Sequence, residues 1–420
     1  MSQSPKRIEE HLSTSVEIPH KKSILQVSEF RYLLGASLTN ALAMTGFNTV
    51  IGYQLYTLTK DPLSLGWLGL AEAVPSLSLA LLGGHLADRF ERRRIVFIMT
   101  LVIGCCLATM TYMAATHQDA RLLVIYGIIF CIGLATGFLR PASSALEQQV
   151  IPTEHIGEGN SILSSVWLAG GITGAPLAGF SIDLIGIPAT YAWITVLLFI
   201  STFFLSGIGR KPAPPAIEGE SIWQSLREGI HYVLNNQPLV GSMMLDLFAV
   251  LFGGAMALLP IFAEDILHVG ATGLGLLRTA PSIGALVVML VTARISPTHN
   301  AGRNLLLCVG AFGVSMIVFG MSTNFFLSLG ALFFSGVFDG VSMVIRRVIT
   351  QRLSPEAMRG RIAAVSWVFI GASNEIGAFE SGVAAKLFGV TPSVIGGGYV
   401  TLLVVAAVAL RLPKLRKLTL

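Results

Sequence analysis

Charge is what this sequence has least of. Only 12% of its 420 residues are Asp, Glu, Lys or Arg, about half the share of a soluble domain. Hydrophobic residues make up 53% of the chain. A chain this poor in charge would aggregate unless lipid covered it, which excludes a set of soluble domains. Cysteine is also scarce. Cys105, Cys106, Cys131 and Cys308 all lie in apolar runs, without pairing or metal-ligand spacing. They read as small core residues, not as a disulfide scaffold. No Walker-type phosphate loop, Gly-x-Ser-x-Gly or His/Cys cluster is present. No enzyme, metal or cofactor is therefore expected, and an ion gradient is favoured over ATP as the driving force. Residues 1–28 hold no apolar signal-peptide core and read as a flexible tail.

What the chain does have is long apolar runs. A span needs about 20 apolar residues, and twelve segments fit: 31–58, 63–86, 94–115, 121–148, 157–183, 187–208, 238–263, 271–294, 303–322, 325–351, 361–388 and 392–411. The pattern implies an all-α polytopic membrane protein. Residues 29–208 form one six-helix bundle, 209–236 a linker, 237–411 a second six-helix bundle and 412–420 a basic tail. Within the linker, Ile222, Leu226, Ile230 and Val233 fall on one face at helical spacing, which predicts a surface helix over 221–234.

The basic residues sit in tails and short loops, which is a membrane-topology pattern; the net charge of +5 does not indicate nucleic-acid binding. With the N-terminus inside, 21 of the 28 Lys and Arg residues fall in cytoplasmic segments. Lys60 and Arg121 fall on the opposite side, and five remain within spans. Both termini are therefore expected in the cytoplasm.

The two bundles look like copies of each other. Gly69-Leu-Ala-Glu-Ala-Val-Pro75-Ser matches Gly275-Leu-Leu-Arg-Thr-Ala-Pro281-Ser at an offset of 206, which also pairs Asn40 with Asp246. Gln148 to Pro152 matches Gln351 to Pro355 at an offset of 203. Parallel repeats of this kind bind cargo between the halves near mid-membrane and rock about it.

Between the second and third spans stands Gly84-His-Leu-Ala-Asp88-Arg89-Phe-Glu91-Arg92-Arg93-Arg94. It resembles the loop signature of the major facilitator superfamily, in the version found in the branch containing the enterobactin exporter and macrolide efflux proteins. Glu91 replaces a usual glycine. The resemblance implies twelve helices in two parallel six-helix repeats. It also implies a gate role for Gly84, Asp88, Arg89, Arg92 and Arg93, with Asp88 meeting Arg359 or Arg361 at the start of span 11. Gly171, Gly174, Pro176 and Gly179 in span 5 resemble the glycine-rich motif that accompanies export, with Ala175 and Phe180 in place of two glycines. A monomer is implied as well.

Ionisable residues within spans cost about 2.5–3.5 kcal/mol each at helix centre and so point to function. Arg140 lies in span 4. It either binds an anion, holds a proton-accepting carboxylate or forms a structural ion pair. Asp246 in span 7 is either a titrating group or a helix-end residue. Glu72 and Arg278 are repeat partners of opposite sign that either pair across the halves as a gate or face water. Asp339 and Glu375 are further candidates for the proton site. Asn40 and Asn48 belong to a polar set on span 1 that faces a cavity or another helix. The reading that unites these features is a proton-coupled secondary transporter in a bacterial inner membrane. It exports a siderophore-like or drug-like compound by alternating access, with lipid and small molecules as its partners. Uptake and a non-transporting receptor are the alternatives.

Overall fold

A computed structural model describes residues 23–116, 122–211, 222–253, 255–292, 294, 297–355 and 358–419. Within these ranges the side chains of residues 81, 88, 222–226, 359–361, 363–364, 366–370, 372 and 375 lie outside the description. The described residues form helices and no strand. The elements are α1 (Ser28–Thr59), α2 (Pro62–Arg89), α3 (Arg92–Ala115), α4 (Leu122–Val150), α5 (Ile156–Ser206), α6 (Ile222–Leu234), α7 (Gln237–Phe252), α8 (Ala255–Ile261), α9 (Gly270–Thr292), α10 (Ala301–Met321), α11 (Phe325–Leu353), α12 (Arg359–Phe388), α13 (Val390–Arg411) and α14 (Pro413–Arg416).

Nine of the described helices are long and apolar enough to cross a membrane, against the twelve expected. The difference has three sources. Spans 5 and 6 are joined in α5 and separated only by Gly186, whose φ of 80° turns the chain between arms 156–185 and 187–206; glycine alone adopts that backbone freely. The other two are α1 and α12, which fall outside the nine. Both carry polar residues, such as Asn40, Asn48 and Gln54 on α1.

Span 7 is not continuous. It stops at Gly253, resumes as α8 and ends in a wide π turn over Phe262–Ile266. The predicted linker helix is present as α6. Its Val233 is buried, and Tyr232 Oη donates to the Leu353 carbonyl at 2.8 Å. Ile222 and Leu226 lie outside the described side chains. The described tail residues next to the bundle pack onto it. Ile24 is fully buried, and so is Leu415, next to the place where Gly302 N–H donates to the Leu418 carbonyl at 3.1 Å. Residues 1–22 lie outside the described residues.

Turns are set by local chemistry. Lys60 adopts a left-handed conformation, with φ 50°. Asp61 then caps α2 by accepting from Leu63 N–H at 3.1 Å, and Pro62 takes the first helical position. Large apolar side chains such as Leu123, Phe203 and Leu410 are exposed on the outside of the bundle, as a lipid-facing surface requires. Lipid tails are as apolar as leucine, so tight helix association rests on small residues. A Cβ on Gly133 of α4 would stand 2.4 Å from the Glu72 carbonyl oxygen of α2. The second half repeats this crossing: a Cβ on Gly336 of α11 would stand 2.0 Å from the Pro281 carbonyl oxygen of α9. Gly133 and Gly336 are 203 positions apart and Pro75 and Pro281 are 206 apart, so the repeat read in the sequence is also a repeat in packing.

Candidate functional site

Two of the cavities between the described helices are lined by charged residues. The first, about 440 Å³, is walled by both halves: Asn48, Gly52 and Glu72 from the first, Arg278, Asp339 and Arg346 from the second. The second, about 380 Å³, lies within the first half and includes Asn40, Thr136 and Trp167. Asn48, Glu72 and Arg140 line both. A site of a few hundred cubic ångströms matches an ordinary small-molecule pocket. Several buried polar atoms on these walls have no protein partner: Asn40 Oδ1, Thr136 Oγ1, Arg278 Nε and Ser342 Oγ.

Proline and close packing position the charges. Pro75 of α2 packs against Gly133 of α4, and Pro141 of α4 packs against Gly83 of α2; the same two helices carry Glu72 and Arg140, which line both cavities. Arg140 is the cation that acts electrostatically on Glu72. The expected Glu72–Arg278 ion pair is not formed among the described residues. A helix position matched by sequence repeat fixes the element, not the direction a long side chain takes. On the other wall Arg346 holds two acids. It pairs with Asp246 of α7, and Nη2 donates to Asp339 Oδ1 at 3.3 Å. Asp246 is therefore an interior residue of α7 held in an ion pair, not a helix-end residue. The side chain of Glu375 lies outside the described residues.

Two arginines of the loop motif bond to helix ends. Arg92 Nε donates to the Ala87 carbonyl at 3.1 Å and Nη1 to the Ala145 carbonyl at 3.3 Å. Arg93 donates to the carbonyls of Leu205 at 3.3 Å and Ser206 at 2.7 Å. These groups cap the C-terminal ends of α2, α4 and α5, where cations are favoured. Arg89 is exposed. Gly84 has open space at its Cα, and the close packing falls on its neighbour Gly83, whose Cβ would lie 2.5 Å from the Gly137 carbonyl oxygen. The side chains of Asp88, Arg359 and Arg361 lie outside the described residues, so their expected contact has no description. In span 5, Gly174 packs on α1 and Gly179 on α9, whereas Gly171 faces open space and Gly170 takes its place against Ala41. Pro176 also lies at the α9 contact, near Gly275.

The face opposite the linker and the chain ends is sealed. Tyr53 Oη donates to Glu264 at 3.1 Å, and Tyr56 Oη donates to Asp265. Lys60 lies 3.3 Å from Asp265 and 3.8 Å from Glu264. Lys386 and Asp61 pair at 3.0 Å, and Thr272 N–H donates to Asp183 at 2.9 Å. Beneath these contacts the helices touch backbone to backbone, with a Cβ on Gly382 only 2.8 Å from the Gly66 Cα. Every one of these contacts joins one half to the other. Lys386, expected inside a span, is thus a surface cation of this seal. Sequence reading missed the seal because each member is an ordinary loop or helix-end residue until the halves are placed together. It also missed Glu147, which lines the second cavity together with Trp167. The signal was available, since Glu147 lies seven positions, two helical turns, after Arg140.

Residues 33–378 match the family model described as Major Facilitator Superfamily. The chain is 24% identical over 399 residues to the enterobactin exporter EntS of Escherichia coli O1:K1 / APEC, covering 92% of each protein. It is 25% identical over 400 residues to EntS of Shigella flexneri, again over 92% of each. Among solved structures, a mutant of the nucleoside transporter NupG superposes with TM-score 0.73 at 14% identity, over 91% of this chain and 99% of that one. A bacterial homologue of the iron transporter ferroportin superposes with TM-score 0.68 at 18% identity, over 94% and 100%. At these identities the structural likeness speaks for the fold alone.

Proposed function

The chain belongs to the major facilitator superfamily, which makes it a membrane transport protein rather than an enzyme, and on that premise we propose that it exports a small organic compound in exchange for protons. The observation that carries this reading is the charged cavity between the halves, closed on one face by contacts that all cross from half to half. Such a site is reached from one side at a time if the halves rock. With both termini in the cytoplasm of a bacterial inner-membrane protein, the sealed face is the outer one and the cavity waits for cargo from within. Export is supported by the relatives named enterobactin exporters and by the glycines of α5 that pack on α1 and α9. A siderophore-like or drug-like compound fits a cavity of about 440 Å³. Protons are the proposed coupling ion, because Asp246 and Asp339 share Arg346 and Glu72 feels the charge of Arg140. Taking up a proton weakens such a pair and shifts the balance between inward-open and outward-open states. The working unit is proposed to be a monomer.

The test is accumulation of dyes, antibiotics and siderophores in cells with and without the protein, each with and without a protonophore. Lower accumulation that the protonophore abolishes is the expected result. Higher accumulation would make the protein an importer and overturn the direction.

A further inference from the structure

Three arginines line the cavity between the halves. Arg140 is exposed and lies near enough to Glu72 to act on it electrostatically. Arg346 is shared by Asp246 and Asp339. Arg278 has no ion pair among the described residues, and its Nε is buried with no hydrogen-bond partner. A half-buried cation whose Nε is enclosed and unbonded is costly, unless something brings an anion to it. We propose that Arg278 is the anchor for an anionic group on the cargo, so that the substrate is an amphiphilic organic anion. This rests on the reading of the cavity as the cargo site and narrows it to a chemical class.

The surroundings fit that class. Met256, Phe312, Met316 and Phe338 line the same cavity and offer an apolar wall for the rest of the molecule. A guanidinium presents a planar fork of donors that matches a carboxylate bidentately. The position also matters mechanically. Arg278 belongs to α9 of the second half, yet its Nη2 lies 3.4 Å from where a Cβ on Gly52 of α1 would stand. An anion held there sits on the seam and touches both halves. Binding would then bear on which face is open, not only on occupancy.

The experiment uses the purified full chain in detergent, as wild type, Arg278→Met, Arg278→Lys and Arg346→Met. Thermal melting is followed with naphthoate, indole-3-acetate and biphenylcarboxylate, and with their neutral carboxamides. Wild type is expected to be stabilised by the acids, with the amides weaker by about tenfold to a hundredfold, the worth of a charge-assisted hydrogen bond. Arg278→Met should erase that difference and Arg278→Lys should keep part of it. Without ligand, Arg278→Met should melt no lower than wild type, because it removes an uncompensated half-buried charge. Arg346→Met should melt lower, because it strands two acids. A ligand-free loss in Arg278→Met equal to that in Arg346→Met would make Arg278 a structural brace and overturn the proposal. Equal binding of acids and amides by wild type would overturn it too. Protonophore-sensitive efflux of neutral or cationic compounds that Arg278→Met leaves intact would sink the anion site while export stands.

Discussion

At the scale of single residues, partnership separates the charges that hold the fold from those that face the cavity. Glu29 is the clearest holding charge outside the spans. It accepts from Lys211 Nζ at 2.6 Å and from Gly209 N–H at 3.0 Å, tying the start of α1 to the chain beyond α5. The Lys211 ammonium and the Gly209 amide hold its carboxyl below the ordinary value of 4.5. A depressed acid stabilises the folded state above its unfolded pKa and loses that contribution as pH falls through the folded value. Glu29→Gln should therefore cost about 1 kcal/mol near neutral pH, read as a lower Tm. The gap from wild type should close only below the ordinary glutamate range. A gap of constant size down to acid pH would refute the assignment. The sequence announced which residues carry charge inside spans but not how they pair. Arg346 and Asp339 are seven positions apart on one helix and could be guessed. The Asp246–Arg346 pair spans two helices that no local pattern connects.

At the scale of elements, the helices were legible because apolar runs and short polar turns leave little freedom in a membrane, where every backbone group must bond within its own helix. The interruptions were harder to read. Gly186 and Gly253 break or bend helices, while many other glycines in equally apolar runs do not. Their effect depends on which neighbour crosses at that point. The Gly133 crossing shows this dependence, since it needs an absent side chain. Gly133→Ala would push a methyl into the Glu72 carbonyl. Overpacking of this kind costs about 1–3 kcal/mol. Melting should report that loss, and efflux should fall further than stability alone predicts, because the crossing also fixes α2 at Glu72, which lines both cavities. Unchanged melting and efflux would show that α2 and α4 are looser here. The same physics explains why Gly83 and Gly170 pack while Gly84 and Gly171 do not. A period of 3.6 residues tells which positions share a face but not, to one residue, where two ridges meet.

At the scale of the whole molecule, the halves are joined firmly on one face and enclose a cavity behind it. Cross-linking tests whether opening that face belongs to the working cycle. In a cysteine-free background, Asp61→Cys and Lys386→Cys should react with a short bis-maleimide, as their ion pair brings the α2 start beside the α12 end. The linked protein should keep its fold and lose efflux, and each single variant should keep efflux. Full efflux by the linked protein would show that the seal never opens. The overall architecture could be read from hydropathy and repeats, since six helices twice over leave few arrangements. The seal could not, because it exists only in the relation between halves.

That seal has a further consequence. Its ions are surface ions: the Lys60 side chain is 52% exposed and that of Asp265 45%. Charges so open to water are screened over roughly 8 Å at physiological ionic strength and over about 3 Å in strong brine. The Arg346–Asp246 pair on the cavity wall, with side chains 15% and 11% exposed, feels this far less. In the proposed orientation, the salinity of the medium would loosen this latch without altering what the Arg346–Asp246 wall of the cavity holds. The rate of the cycle and the choice of cargo would then answer to different environments.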